Sequence, residues 1–315
     1  MRRGTQDGGA DGLRDVPYPR RLDDATRLPG VHCLAQWLVV VRFEAACLAV
    51  RLADFPDVDF PAILGAENCR SVSCVLLTLR KIEMSLSEQY DSFYKSELVK
   101  ESFRKIELRG WPRNRVEAIL HDAGSGDTVL DVGCGNGHLL YQLADRYRNL
   151  VGLEYSAHRL EHAKLNLPKD RFTPVLGSAE DMSELATGSI DCIVSADTIE
   201  HIPDVYRAAD ELFRVLKAGG KLVMNTPNIA FLKKRVLLML GRFPSTSQPN
   251  EGLGNDILFD GGHLHYFTYR SLSLLLERVG FEIEKRVGYG ALGRVHDIYP
   301  PLLSGGVQLV ASKSR

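Results

Sequence analysis

The chain has 315 residues, 44% of them hydrophobic, which is enough for one large or two small domains with a full core. With 39 basic against 40 acidic residues and no lysine-arginine block, it lacks the electrostatic footprint of a nucleic-acid binder, and no nucleic-acid partner is expected. Six cysteines without C-x-x-C or zinc-like spacing exclude a disulfide framework and suit reduced thiols in a cytoplasmic setting.

Residues Met1–Pro29 are rich in Gly, Arg, Asp and Pro and carry neither helical nor strand period, so they read as disordered. Apolar runs follow from Val31 to Leu79 with irregular spacing. The most apolar of them, Leu34 to Val50, is broken by Arg42 and Glu44, and no transmembrane segment is expected. A coherent amphipathic pattern begins only after Met84, where Ser85 or Ser87 can cap a run containing Tyr90, Phe93 and Tyr94. Residues 1–83 are therefore expected to be a poorly ordered or accessory N-terminal extension, with Met84 the natural start and 84–315 the working domain. The rival expectation makes 1–83 a real accessory segment or a dimerisation segment, and a homodimer is among the expected assemblies. Helices are predicted over 88–108 and 112–123.

The segment Val129-Leu130-Asp131-Val132-Gly133-Cys134-Gly135-Asn136-Gly137 is the most informative in the chain. Thr128–Val132 reads as a central strand and His138–Arg146 as the helix after it. Glycines at the turn let the backbone take positive φ and approach a ligand lying across the strand ends. A dinucleotide fingerprint has the spacing G-x-G-x-x-G. Here Gly133, Gly135 and Gly137 form G-x-G-x-G, and Asp131 precedes them by two positions, which suits a cationic amino-acid group better than a phosphate. A second strand, Asn149–Glu154, ends in a carboxylate placed to accept both hydroxyls of a ribose. The two halves together describe S-adenosylmethionine (SAM) as the cofactor. Cys134, with no base beside it in sequence, reads as a small buried spacer and not as a nucleophile.

At this point the chain resembles the class I SAM-dependent methyltransferases, and the match continues in order from about Tyr90 to Ser312. Gly177-Ser178-Ala179-Glu180-Asp181-Met182 resembles the family's adenine-binding turn, with Ser178 where the usual first acid stands. The resemblance therefore implies adenine recognition by Glu180 or Asp181 with the backbone of Ala179. It places Tyr155 beside Glu154, and Ser195 near the end of the strand Ile190–Ala196, at the cofactor. The run Arg214 to Asn228 is similar to the helix, Gly-Gly turn and fifth strand, Lys221–Asn225. Strands at Phe172–Leu176, Phe281–Gly288 and Val307–Ser312 complete the expectation. The fold class is α/β, a doubly wound seven-stranded mostly parallel sheet of the Rossmann-like methyltransferase type, with N-terminal helices, a helix over 271–279 and an inserted lid.

The lid is expected at about residues 229–262, where Phe231, Val236, Leu237 and Leu240 form an apolar face beside Lys233, Lys234, Arg235 and Arg242. The bland alternative is a solvated helix packed on the sheet edge.

Two groups are candidates for chemistry. Asp197-Thr198-Ile199-Glu200-His201 directly follows the fourth strand, and His263-Leu264-His265 lies in a later Gly-Gly-His segment. His201 is the preferred general base, because neutral imidazole titrates near working pH and this loop faces the methyl group in the family. Its alternative is a satisfied structural histidine. Glu200 and His263 join it as catalytic candidates, since related sugar- and quinone-type enzymes also carry histidine at the latter position; His265 is expected to be peripheral. No metal is assigned. A sharper alternative is that Asp197, Glu200, His201 and His263 resemble the Glu-x-x-Glu-His plus His metal site of small-RNA 2′-O-methyltransferases and some ubiquinone-pathway O-methyltransferases. The shorter Asp197 departs from that pattern.

No Asn/Asp-Pro-Pro-Tyr segment, Pro-Cys nucleophile or C-x-x-x-C-x-x-C cluster is present where base methylation or radical chemistry would need one. Thr226-Pro227-Asn228, the insertion and the His-x-x-x-Phe-Thr segment most resemble bacterial enzymes acting on sugars, quinones and other small metabolites. The expected reaction is methyl transfer to a hydroxyl of a small or lipid-linked acceptor. The alternatives are N-methylation of a small amine, or a SAM-binding partner protein without catalysis.

Overall fold

The computed structural model describes residues 98–247, 251–253 and 259–314. The expected N-terminal extension, its Met84 boundary, the homodimer segment and residues 88–97 of the first expected helix lie outside them.

Seven strands form one sheet: β1 (Gly126–Val132), β2 (Tyr147–Glu154), β3 (Phe172–Leu176), β4 (Ile190–Ala196), β5 (Leu216–Pro227), β6 (Phe281–Val287) and β7 (Gly306–Lys313). Their spatial order is β3-β2-β1-β4-β5-β7-β6. The first five run parallel, and β7 pairs antiparallel with both β5 and β6. From the central β1 the chain crosses first to β2 on one side and later to β4 on the other. A crevice therefore opens at the carboxyl ends of β1 and β4, where open α/β sheets bind their ligands.

Strands covered on both faces must be apolar on both, and alternate residues here feed two separate cores. Leu130, Ile193, Leu222 and Leu309 belong to one core, and Val129, Cys192, Val223 and Val310 to the other. Helices α1 (Arg115–Asp122), α2 (His138–Leu143) and α3 (Ala157–Asn166) close the second core through Ile119, Leu140 and Leu160. Helices α4 (Val205–Val215) and α6 (Tyr269–Arg278) close the first through Ala208, Leu212, Leu272 and Leu276. The apolar residues of α4 fall at Val205, Ala208, Ala209, Leu212 and Val215, one face of a 3.6-residue period, and Asp204 caps it by accepting from Tyr206 N and Arg207 N.

Between the two sits α5 (Leu232–Met239), none of whose residues is buried. Two single-turn helices, α7 (Val295–Ile298) and α8 (Pro300–Leu303), lead into β7. Among the described residues no helix is long and apolar enough to cross a membrane.

The helix expected over 88–108 does not form in its described part, 98–108. Two side-chain amides take its backbone instead. Glu101 N donates to Asn166 Oδ1 at 2.8 Å, Ile106 N donates to Gln142 Oε1 at 2.9 Å, and Gln142 Nε2 donates to Arg104 O at 2.9 Å. Phe103 and Ile106 then lie against α2, Phe103 edge-on to His138 and Tyr141. The second expected helix starts at Arg115, not residue 112, because Asn114 accepts from Glu117 N and caps it there.

Candidate active site

The glycine turn is fastened to β2 by Gly133 N and Cys134 N, both of which donate to Leu153 O, at 2.8 and 3.0 Å. Gly133 has φ +79°, and a side chain there would collide with the hydroxyl of Thr198. Gly135, at φ +55°, donates its N–H to Glu154 Oε2 at 2.8 Å, and a side chain would meet the guanidinium of Arg159. Gly137 caps α2 at φ +84° and packs on Leu167. Cys134 is the spacer its surroundings suggest: it lies over Gly152, and burial, reinforced by Asp131 and Glu154, raises its thiol well above the ordinary range. A thiol held neutral is a poor nucleophile.

Beyond the strand ends is a cavity of about 300 Å³. Gly133, Glu154, Tyr155, Ala179, Glu180 and His201 line it, together with Arg115, Arg159, Ala196, Asp197 and Thr198. The buried Glu154 carboxylate accepts from Gly135 N and, through Oε1, from Tyr155 N and Ser156 N at 3.0 Å each, so three backbone N–H groups hold it in place. Of the two acids offered for the adenine turn, Glu180 borders the cavity and Asp181 does not. Glu180 also braces the turn, accepting from Asp204 N at 2.6 Å and from Ser178 Oγ at 3.0 Å.

Four other residues expected at the cofactor stand behind the wall. Ser195 is buried in β4 and Ala196 faces the cavity in its stead, because neighbouring strand residues point to opposite faces. Gly135 and Gly137 shape the turn without bordering the cavity. Asp131 lies beneath it, fully buried, with its carboxyl pushed up to about 8 by desolvation and by Glu154, against the opposing Arg159. A cationic group arriving beside it would restore its charge.

Glu200, His201 and His263 converge: one ligand-type atom from each lies within 4.8 Å of the others. The Ile199–His201 turn carries the first two, and the imidazoles of His201 and His263 meet edge to face at 4.7 Å between centroids. Glu200 is 1% exposed. Its Oε2 accepts from Thr226 Oγ1 at 2.8 Å, while Oε1 finds no hydrogen-bond partner among the described residues. Burial, reinforced by Asp197, pushes this carboxyl up to about 8 despite Thr226 and Arg115. His201 Nδ1 lies 3.1 Å from Gly262 O; a carbonyl only accepts, so Nδ1 carries the hydrogen and Nε2 the lone pair. Burial lowers His201, and burial with the nearby His201 lowers His263 to about 4, so both rings are neutral at neutral pH.

Asp197 does not join this group. Its backbone is left-handed at φ +50°, and its carboxylate pairs with Arg115 Nη1 at 2.5 Å. Of the four residues in the metal alternative, Glu200, His201 and His263 come together and Asp197 does not. His265 is peripheral, its Nε2 lying 3.2 Å from Pro203 O.

Several contributors escaped sequence reasoning. Arg115 and Arg159 reach the cavity from α1 and α3, Thr226 holds Glu200 from the end of β5, and Thr246 touches His263. Only Arg159 left a signal, three positions after Ser156, which caps α3 directly after Glu154.

A family described as a methyltransferase domain matches residues 103–286. The chain belongs to the class I SAM-dependent methyltransferases. SAM is its cofactor. It is 29% identical over 164 residues to a probable SAM-dependent methyltransferase of Mycolicibacterium smegmatis, covering 52% of this chain and 55% of that protein. It is 29% identical over 145 residues to the ubiquinone biosynthesis O-methyltransferase of Dechloromonas aromatica, covering 41% and 62%. The matched stretches span between half and two-thirds of these relatives. A solved SAM-dependent methyltransferase of Mesorhizobium loti superposes with a TM-score of 0.48 at 20% identity, covering 63% of this chain and 95% of its own.

Proposed function

We propose that this methyltransferase moves the SAM methyl group to a hydroxyl of a small or lipid-linked acceptor such as a sugar, a quinol or a phenol. The observation that carries this reading is the convergence of Glu200, His201 and His263 beside a cavity that His201 itself lines. In-line transfer from a sulfonium needs mainly positioning and exclusion of water, but a hydroxyl acceptor must also lose a proton. His201, neutral and with its lone pair on Nε2, suits that task. Gly133, Glu154, Tyr155, Ala179 and Glu180, which line the cavity, are proposed to hold the cofactor, with Asp131 behind them answering its cationic end and Gly135 shaping the turn. The similarity to ubiquinone-biosynthesis O-methyltransferases supports oxygen over nitrogen as the target.

A second reading rests on the buried Glu200 Oε1, which has no hydrogen-bond partner among the described residues. A carboxylate oxygen and two neutral imidazoles are a donor set fit for a divalent cation, and Glu200, His201 and His263 would hold it. A cation bound there would acidify an acceptor hydroxyl.

Methyl release measured against a panel of sugars, phenols, quinols and small amines tests the proposal. Turnover on hydroxyl acceptors supports it; turnover on amines alone favours N-methylation. Silence across the panel with intact SAM binding points to a partner protein without catalysis. Inhibition by chelator separates the two mechanistic readings.

A further inference from the structure

Asp260 lies outside the cofactor cavity, fully buried, in the tight turn Phe259–Gly262, with left-handed backbone at φ +45°. Its carboxylate gathers six donors. Oδ1 accepts from Ser245 Oγ at 2.5 Å, Ser247 Oγ at 2.8 Å and Ser247 N at 3.2 Å. Oδ2 accepts from Thr246 N at 3.0 Å, and from Thr246 Oγ1 and Tyr266 Oη at 3.1 Å each. Burial alone would raise this carboxyl, but the donors from Ser245, Thr246 and Ser247 outweigh it and hold the group below the usual carboxylate range. Asp260 is therefore an anion, and an ionised carboxylate only accepts.

Thr246 carries the consequence onward. Its Oγ1 lies 2.6 Å from His263 Nδ1, whereas Asp260 Oδ2 is 3.9 Å from that nitrogen, beyond hydrogen-bond reach. A threonine hydroxyl has one hydrogen. Charge assistance directs it to the carboxylate, so the Thr246 oxygen is left to accept and His263 Nδ1 must donate. The lone pair of His263 then resides on Nε2. We propose that Asp260, acting through Thr246, is a positioning residue that locks His263 in its Nδ1-protonated tautomer, so that Nε2 is offered to the acceptor or to a cation. This rests on reading Glu200, His201 and His263 as the acceptor-side group. Gly262, two residues after Asp260, imposes the same tautomer on His201 through its carbonyl. One tight turn thus sets both rings.

The test uses the full chain with 15N-labelled histidine and long-range proton–nitrogen correlation spectra at neutral pH, with neither SAM nor acceptor present. His263 signals are assigned by their loss in His263→Gln. The wild type should show Nδ1 protonated and Nε2 bare. Thr246→Val, close in shape and leaving the Ser245, Ser247 and Tyr266 bonds to Asp260 in place, should give mixed or Nε2-protonated signals; Thr246→Ser should restore the wild-type pattern. Asp260→Asn serves if the valine variant fails to fold. Its amide can donate to Thr246, releasing the hydroxyl hydrogen toward Nδ1 and reversing the tautomer. In turnover, Thr246→Val should lower kcat by about 10–100-fold, as loss of a group that orients a ligating histidine does, with KM for SAM unchanged. An Nε2-protonated wild type, or a Thr246→Val spectrum identical to wild type, overturns the proposal. Absence of turnover with any acceptor would instead count against the hydroxyl-transfer reading, because the spectra are recorded without chemistry.

Discussion

Gly133 and Thr198 meet so closely that each fixes what the other can be. Thr198 cannot readily retreat, because its hydroxyl donates to Val132 O at 3.0 Å. Gly133→Ala adds left-handed strain to this collision and should cost about 1–3 kcal/mol of stability by denaturant unfolding. Pairing it with Thr198→Ala should recover the steric part and leave the backbone part. For Glu154, the three backbone donors around its carboxylate mean that Glu154→Ala loosens the glycine turn as well as removing the proposed ribose partner. Calorimetry should show SAM binding weakened by about 1–3 kcal/mol; unchanged affinity would place the ribose elsewhere. His201→Ala should keep cofactor affinity and lose about two to four orders of magnitude in turnover. If a cation takes part, chelator should inhibit the wild type, and Glu200→Ala or His263→Ala should cost as much as losing His201. The acids at the site also give a signed pH effect. Asp131 and Glu200 titrate near 8 when folded, against about 4 when unfolded. The folded state therefore keeps protons the unfolded chain releases, a stabilisation complete below about pH 4 and lost as the pH rises through about 8. The apoprotein should unfold at lower denaturant at pH 8 than at pH 5, and Asp131→Asn should flatten the difference; parallel profiles would contradict the assignment.

Among the elements, α4 shows how far local chemistry reaches. Asp204 satisfies two N–H groups at its start, and its own N–H is held by Glu180 from the cavity wall. Asp204→Ala should cost about 0.5–2 kcal/mol, the usual worth of such a cap, measured by thermal or denaturant unfolding. Elements of this kind were legible in the sequence. The strands from β1 to β7 announce themselves through apolar runs bounded by turn residues, and the G-x-G-x-G spacing located the turn whose Gly133 lines the cavity. What was not legible depends on partners far along the chain. The stretch 98–108 reads as the end of a helix, yet Gln142 and Asn166 bond its backbone in a non-helical course, and nothing local shows it. Asp197 belonged to the metal alternative in the sequence, but its carboxylate pairs with Arg115, 82 positions earlier. His263 was found, but Thr246, which bonds it, sits 17 positions away in a stretch without recognisable pattern. The insertion was read as a lid or as a helix packed on the sheet edge. Its helix α5 carries no buried residue, as a solvated helix would not. Its Lys234 donates to Ser245 O, which ties α5 to the loop beside His263.

For the whole molecule, every recognised motif and the family match fall after residue 102. We propose that residues 84–315 suffice: removing 1–83 should leave a chain that melts cooperatively and binds SAM, and loss of either would make the extension part of the core. The sheet also has an order in time. Strand β7 lies inside it, paired on both sides by β5 and β6, and its residues from Gly306 to Ala311 are buried. Yet it leaves the ribosome after every other strand. Until then β5 and β6, though already made, have no common neighbour, and each presents an open edge to the cell. The strands β1 and β4 that border the cavity can pair early, but β5, whose Thr226 bonds Glu200, stays unclamped on its β7 side until β7 has emerged. A newly made chain is thus exposed to aggregation until β7 has emerged, and chaperone dependence should concentrate there.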